Sequence, residues 1–177
     1  MTPLTIDFLK ELLVIDSSRH DGTLRALLDD AIAVWEQRTG RMIKSRSLTL
    51  TREGVWDVVL PHVPVSSVSS VQYVDDDTGN VVTVDASNWY TSNVLDPFVA
   101  VRWKANASLP SNVRRGTVAY NYVVGSTYIP AGQARAIAAL VGHWFNNPEA
   151  AAPVELKPVP YSWEALVSAY SVKAGAY

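Results

Sequence analysis

Residues 113–149 read VRRGTVAYNYVVGSTYIPAGQARAIAALVGHWFNNPE, and the period of their apolar residues changes once, at Pro130. Before it, Val118, Tyr120, Tyr122 and Val124 alternate with other residues, which predicts a strand over Gly116–Val124 with one buried face. After it, Ile137, Leu140, Val141, Trp144 and Phe145 recur at helical spacing, which predicts a helix from Pro130 to about Asn147, before Pro148. Its other positions are small: Ala131, Ala134, Ala136, Ala138, Ala139 and Gly142. A helix apolar on most sides is covered on most sides, so a second protein surface against it is as good a reading as this chain's own core. The strand runs before this helix are short, Pro-bounded and hairpin-connected, which with the flanking helices favours an α+β fold over repeated βαβ units.

Working outward, two helices precede the strands. Ile6, Leu9, Leu12 and Leu13 predict helix 1 over Thr5–Ile15, with Thr5 as N-cap. Leu24, Leu27, Leu28, Ala31 and Trp35 predict helix 2 over Thr23–Thr39. Gly40 stands where a helix end needs positive φ, and Arg38 and Arg41 stand near the negative helix terminus. The middle is strand-rich, with Ser47–Arg52, Val55–Leu60, Val81–Asp85, Trp89–Thr91 and Phe98–Trp103, the last two flanking an Asp96-Pro97 turn. Val65, Val68, Val71 and Val74 are spaced by three, not two, so a turn near Ser66–Ser67 and a strand from Ser69 are expected. Asp75–Asn80 reads as a hairpin loop with Gly79 at positive φ. Trp163, Leu166, Val167 and Tyr170 predict a short last helix over Ser162–Tyr170 after a Pro-rich connector. The expectation is one domain over 1–177: helical over 1–41, β-rich over 46–125, a helix over 130–147, a linker over 150–160, and a C-terminal helix and arm over 161–177. In this layout a helical core carries an inserted antiparallel sheet or small barrel.

Composition narrows the function. Charged residues make up 18% of the chain and the net charge is -2, so no strong basic field attracts nucleic acid. With no cysteine, disulfides and Cys-ligated metals are excluded. Asp7 and Glu11 interrupt the first apolar stretch, which reads as an amphipathic helix and not a signal peptide. No apolar run has spanning length, and a cytoplasmic site of synthesis is expected. Six Trp and eight Tyr with few charges lean toward an oligomer or a docked protein.

The residues that could carry chemistry do not converge. Asp75, Asp76 and Asp77 are contiguous, without the alternate spacing of a calcium loop, and read as a solvated hairpin tip. His20, His62 and His143 lack ligand spacing, so no metal is expected. No nucleophile elbow or phosphate loop occurs. We therefore expect no catalytic residues and no cofactor. Two other readings stay open: a β-rich module binding sugar or protein through Trp56, Trp89 and Trp103, and a hydrolase using Asp75–Asp77 or Asp85.

Three segments resemble the bacteriophage head-tail connector, or head-completion adaptor, family, including gene-transfer-agent adaptors. They are Glu36-x-x-Thr39-Gly40-Arg41; Leu60-Pro61-x-x-Pro64-Val65 followed by Val68, Val71, Tyr73 and Asp75; and Arg114 or Arg115 with Gly116, then Pro130 and His143-Trp144-Phe145-x-Asn147-x-Glu149. In order and spacing they cover about residues 5–170. The resemblance implies a structural virion protein at the neck. Its ring of twelve subunits would dock beneath the portal, extend the channel for double-stranded DNA without reading its sequence, and offer a surface to the next neck or tail-completion protein. It implies no membrane. It further implies that the C-terminal segment reaches the portal, with Trp163, Tyr170, Lys173 and Tyr177 as contacts. Arg38, Arg41, Ala136, Ala139 and His143 are the expected subunit-interface residues.

Overall fold

The computed structural model describes residues 2–95, 98–126, 128–147 and 161–172. The expected Asp96-Pro97 turn, the Pro-rich linker, Lys173 and Tyr177 lie outside them. In chain order the elements are β1 (Thr2–Pro3), α1 (Ile6–Leu13), α2 (Asp21–Thr39), β2 (Arg46–Arg52), β3 (Val58–Val59), β4 (Val65–Val74), β5 (Val81–Thr83), β6 (Trp89–Leu95), β7 (Phe98–Trp103), β8 (Val118–Val124), β9 (Tyr128–Ile129), α3 (Ala131–Asn146) and α4 (Tyr161–Tyr170). The fold is α+β, and the chain forms two compact units. One takes residues up to Ile43 and resumes at 127; the other is the segment Lys44–Ser126 inserted between them.

In the helical unit the predicted stripes form the core. Leu9 of α1, Leu24 and Trp35 of α2 and Ile137 of α3 have no exposed surface, and Trp163 of α4 joins the same cluster. Thr5 caps α1 through its hydroxyl, which accepts from the Phe8 N–H at 3.2 Å. The helix stops at Val14, whose φ is 57°. α2 starts at Asp21, two residues before the expected Thr23, and ends as read, with Gly40 at φ 71°. The small face of α3 is used by this chain itself. Gln133, Ala134, Ala136, Ile137, Ala138, Leu140, Val141 and Gly142 are buried. A Cβ on Gly142 would lie 2.7 Å from Leu13, and one on Gly132 would lie 2.6 Å from the Tyr170 hydroxyl. The absent side chains are what admit α1 and α4. β1 and β9 form a two-residue ladder that was not expected, because two residues carry no periodicity.

Among the described residues the inserted unit has seven strands in two antiparallel sheets, ordered β2-β8-β4-β5 and β3-β7-β6. They do not close into a barrel. β8 alternates as predicted, with Val118, Tyr120, Tyr122 and Val124 buried. β4 corrects the sequence reading. It is one strand from Val65 to Val74, with no turn at Ser66–Ser67. Its register against β8 runs Val65–Val124, Ser67–Val123, Val68–Tyr122, Ser70–Asn121 and Val71–Tyr120. Ser66 and Ser69 are thus the extra residues of two bulges. Each bulge converts a spacing of two on β8 into three on β4, so Val65, Val68 and Val71 face the buried Val124, Tyr122 and Tyr120. The first bulge is anchored, since the Ser66 hydroxyl donates to the Gly125 carbonyl at 2.6 Å and the Gly125 N–H donates to the Pro64 carbonyl at 2.9 Å. The expected strand over Val55–Leu60 shrinks to Val58–Val59, while β6 runs on to Leu95. The Asp75–Asn80 loop is the predicted hairpin, with Gly79 at φ 73°.

Gly125 fixes the end of this arrangement. Its φ is 84°, and a Cβ there would collide with the Lys44 carbonyl. Gly125→Ala is expected to destabilise the protein by at least about 1–3 kcal/mol in denaturant unfolding. Wild-type stability in that variant would contradict the strained geometry.

Candidate functional site

The Glu36–Arg41 segment is the end of α2, and it is joined to the end of α4 by reciprocal hydrogen bonds. The last carbonyls of a helix have no partner within it. Here the Glu36 carbonyl accepts from the Gly40 N–H at 2.9 Å, and the Thr39 carbonyl accepts from the Val172 N–H at 2.8 Å. The Arg38 carbonyl takes a longer bond, 3.4 Å, from the Ser171 hydroxyl. In return, Arg41 Nε donates to the Tyr170 carbonyl at 2.8 Å, placing a cation at the negative end of α4. The Thr39 hydroxyl donates to the Trp35 carbonyl at 2.7 Å and accepts from the Arg41 N–H at 3.2 Å. The buried Glu36 carboxylate accepts from the Ile43 N–H at 2.6 Å. Trp35 and Tyr170 pack with ring centroids 5.8 Å apart, and the Arg38 guanidinium lies 6.0 Å from the Trp163 ring centroid.

Four of the sequence-predicted contact residues therefore meet at one junction: Arg38, Arg41, Trp163 and Tyr170. Trp163 is 3% exposed and is a core side chain, while Tyr170 is half-buried. Lys173 follows directly on Val172 in the sequence and, like Tyr177, lies outside the described residues. On α3, Ala136 has no exposed surface, which removes it from any surface role; Ala139 is exposed and His143 half-buried. Sequence reasoning gave Glu36 and Thr39 no role beyond their place in a spacing pattern. Their three-residue separation, followed by Gly, was the available signal.

In the inserted unit the candidate acids are committed elsewhere. Asp75 accepts from the Thr78 N–H and hydroxyl, each at 2.8 Å, and Asp85 accepts from the Ser87 N–H at 2.7 Å. Those bonds, the backbone N–H first in each case, hold both carboxyls below the ordinary carboxylate range. A general acid needs the opposite shift. Asp76 pairs with Arg114 at 2.9 Å, and Asp77 accepts from the Asn112 amide. Among the described residues, no three His, Asp or Glu side chains cluster to hold a metal. The tryptophans form no open row: Trp89 and Trp103 are half-buried, and Trp56 is 73% exposed. His62 Nδ1 lies 2.7 Å from the Tyr122 hydroxyl.

No protein-family model and no curated protein sequence matches the chain. Solved structures do. A chain from the neck of an empty gene transfer agent (GTA) particle, computed with C6 symmetry, superposes with a TM-score of 0.74 at 21% identity, covering 99% of this chain and 92% of that one. A chain from the neck of a native GTA particle, computed with C12 symmetry, gives 0.69 at 20% identity with the same coverage. A chain from the virion of a native GTA particle gives 0.70 at 22% identity, covering 92% of this chain and 84% of that one. The likeness shows a shared fold across both units, in agreement with the fold that the three sequence segments implied.

Two outcomes follow from this geometry. Thr39→Val keeps the shape of the side chain but removes two hydrogen bonds, the hydroxyl's to the Trp35 carbonyl and the Arg41 N–H's to the hydroxyl, and should cost about 1–3 kcal/mol in thermal unfolding. A loss below about 0.5 kcal/mol would detach the hydroxyl from stability. Burial, helped by the nearby Arg46 cation, holds the His62 imidazole below its ordinary 6.5. The unfolded chain then takes up this proton more readily than the folded one. The stabilisation is complete above pH 6.5 and is lost as pH falls below that value toward the folded pKa. Between about pH 7.5 and pH 5.5 the Tm of wild type should fall more than that of His62→Gln. Parallel pH profiles would rule His62 out as the titrating group.

Proposed function

We propose that this protein is a head-tail connector of a gene-transfer-agent or phage particle: a structural adaptor, not an enzyme. The observation that carries the reading is the fold likeness over nearly the whole of both chains to GTA neck chains. In this reading the subunits form a ring, twelve in number, beneath the portal. The ring extends the DNA channel and offers its far side to the next neck or tail-completion protein. The protein is made in the host cytoplasm and resides in the virion.

The chemistry of the chain supports this in two ways. Its net charge of -2 suits a passage through which DNA slides, since a strongly basic lining would hold the phosphates. Its clustered carboxylates are occupied by local hydrogen bonds and ion pairs, as structural groups are. No described helix is long and apolar enough to cross a membrane.

The C-terminal arm follows from the same reading. The α2–α4 junction fixes the chain through Val172, and the five residues after it, Lys173–Tyr177, are the proposed portal contact. Tyr170 for the portal, and Arg38, Arg41, Ala139 and His143 for the subunit interface, are the remaining candidates from the sequence.

Negative-stain imaging of the protein, alone and mixed with the portal protein of the same particle, should reveal rings and give their subunit number. Monomers that ignore the portal would end the connector reading. Truncation after Val172 should abolish portal docking and leave the Tm within about 2 °C of wild type. Undiminished docking by the truncated chain would remove the arm's role.

A further inference from the structure

Among the described residues the inserted unit has four sheet edges, of which two are blunted by their shortness and a third, β6, is open only along a short regular stretch. β5 has three residues and β3 has two. β6 is longer, but its ladder with β7 is regular only over Trp89–Ser92 and is bulged beyond. Short and bulged edges are the usual defences against unwanted strand pairing. β2 has none of these. All seven of its residues pair in unbroken register with β8, from Arg46–Val124 to Arg52–Val118. Between the terminal arginines it reads Ser-Leu-Thr-Leu-Thr, without proline, glycine or charge. Ser47, Thr49 and Thr51 are exposed, and no second strand pairs with β2 among the described residues.

Beside the Arg52 end of this edge stands Trp56. It is 73% exposed, and with Arg52, Glu53 and Tyr120 it lines a cleft of about 370 Å³. It is nevertheless held in place. Its carbonyl accepts from Tyr120 Oη at 2.9 Å and from Trp103 Nε1 at 3.1 Å. Its indole lies so close over Gly54 that a Cβ there would come within 2.5 Å of Nε1. A large exposed aromatic on a fixed backbone, with its ring resting on a glycine, loses less entropy when covered than a free side chain does, which suits an interface anchor.

We propose that the β2 edge joins subunits: it pairs with the β6 edge of a second copy of this chain, and Trp56 is covered by that copy's Tyr90. The main-chain groups of an open edge select an extended strand. Pairing β2 with β2 would be two-fold and stop at a dimer, whereas a ring needs two different surfaces joined head to tail. Beyond β2, the longest edge strand among the described residues is β6, and the stretch of β4 that β5 leaves uncovered carries both bulges. β6 carries Tyr90, which is 45% exposed, within its regular stretch. The segment 148–160, outside the described residues, is a poorer occupant. Pro148, Pro153, Pro158 and Pro160 punctuate 148–160, and prolines cannot donate to a ladder. The choice of a second copy rests on the ring reading above.

The absence of cysteine makes the test specific, because introduced thiols can react only with one another. Thr49→Cys or Thr51→Cys chains are mixed with Thr91→Cys chains under the conditions that give rings, and then mildly oxidised. Mixed disulfide dimers should exceed either homodimer by about tenfold in at least one pairing. A chain carrying both changes should cross-link into a ladder that ends at the ring's subunit number. Visible rings without mixed dimers would overturn the edge pairing and leave the ring reading intact. Efficient homodimers of the Thr49→Cys or Thr51→Cys chain alone would overturn it in favour of a two-fold contact. No rings under any condition would overturn both. Trp56→Ser, with its circular dichroism unchanged, should need about tenfold more protein to assemble; equal assembly would remove Trp56 from the contact.

Discussion

A helix that ends inside a protein leaves carbonyls that water cannot reach, and the helical unit depends on how α2 and α4 settle that debt with each other. Leaving one buried carbonyl unmet costs about 1–3 kcal/mol, which is comparable to burying a whole leucine. The Glu36–Arg41 segment answers this with side chain and backbone together. Thr39 closes the last turn, Gly40 turns the chain away, and Arg41 crosses to the carbonyl of Tyr170. Val172 completes the exchange through Thr39. Because the bonds run in both directions, neither helix end can shift without exposing the other. Trp35, Tyr170 and Trp163 pack at the same junction, so the polar contacts and the core reinforce one another.

The inserted unit is governed by register. β8 supplies a regular ruler of buried residues, and β2 and β4 read it from either side. β2 follows it residue for residue, whereas β4 takes three residues for every two. The regular side is left with an edge fit for pairing, while on the other side β5 covers only Gln72–Val74, past the two bulges. The two flanks of one strand thus have different capacities for association, although both are rich in serine, threonine and aliphatic residues.

Much of this was legible in the residues. The helical stripes, the β8 alternation, the Gly40 and Gly79 turns and the α+β class follow from periods and backbone preferences that act locally. The failures were non-local. The threefold valine spacing of 65–74 is ambiguous until β8 stands beside it, because a bulge is a property of two strands. The small face of α3 looked equally suited to a partner and to this chain, and only the packing of Leu13 and Tyr170 decided for the latter. Of the candidate site, the spacing of Glu36, Thr39, Gly40 and Arg41 was visible but its purpose was not, since the acceptor carbonyl belongs to a residue 129 positions away.

The bulges of β4 also bear on how this fold can change length. In an unbroken ladder, losing one residue turns every later side chain to the wrong face, so strands such as β8 are closed to single-codon deletions. Ser66 and Ser69 are already outside the pairing. Removing either would convert a bulge into ordinary ladder and keep Val65, Val68 and Val71 opposite their buried partners. The strand holds two spare residues, and divergence in chain length among proteins of this fold has a place to accumulate without crossing the core.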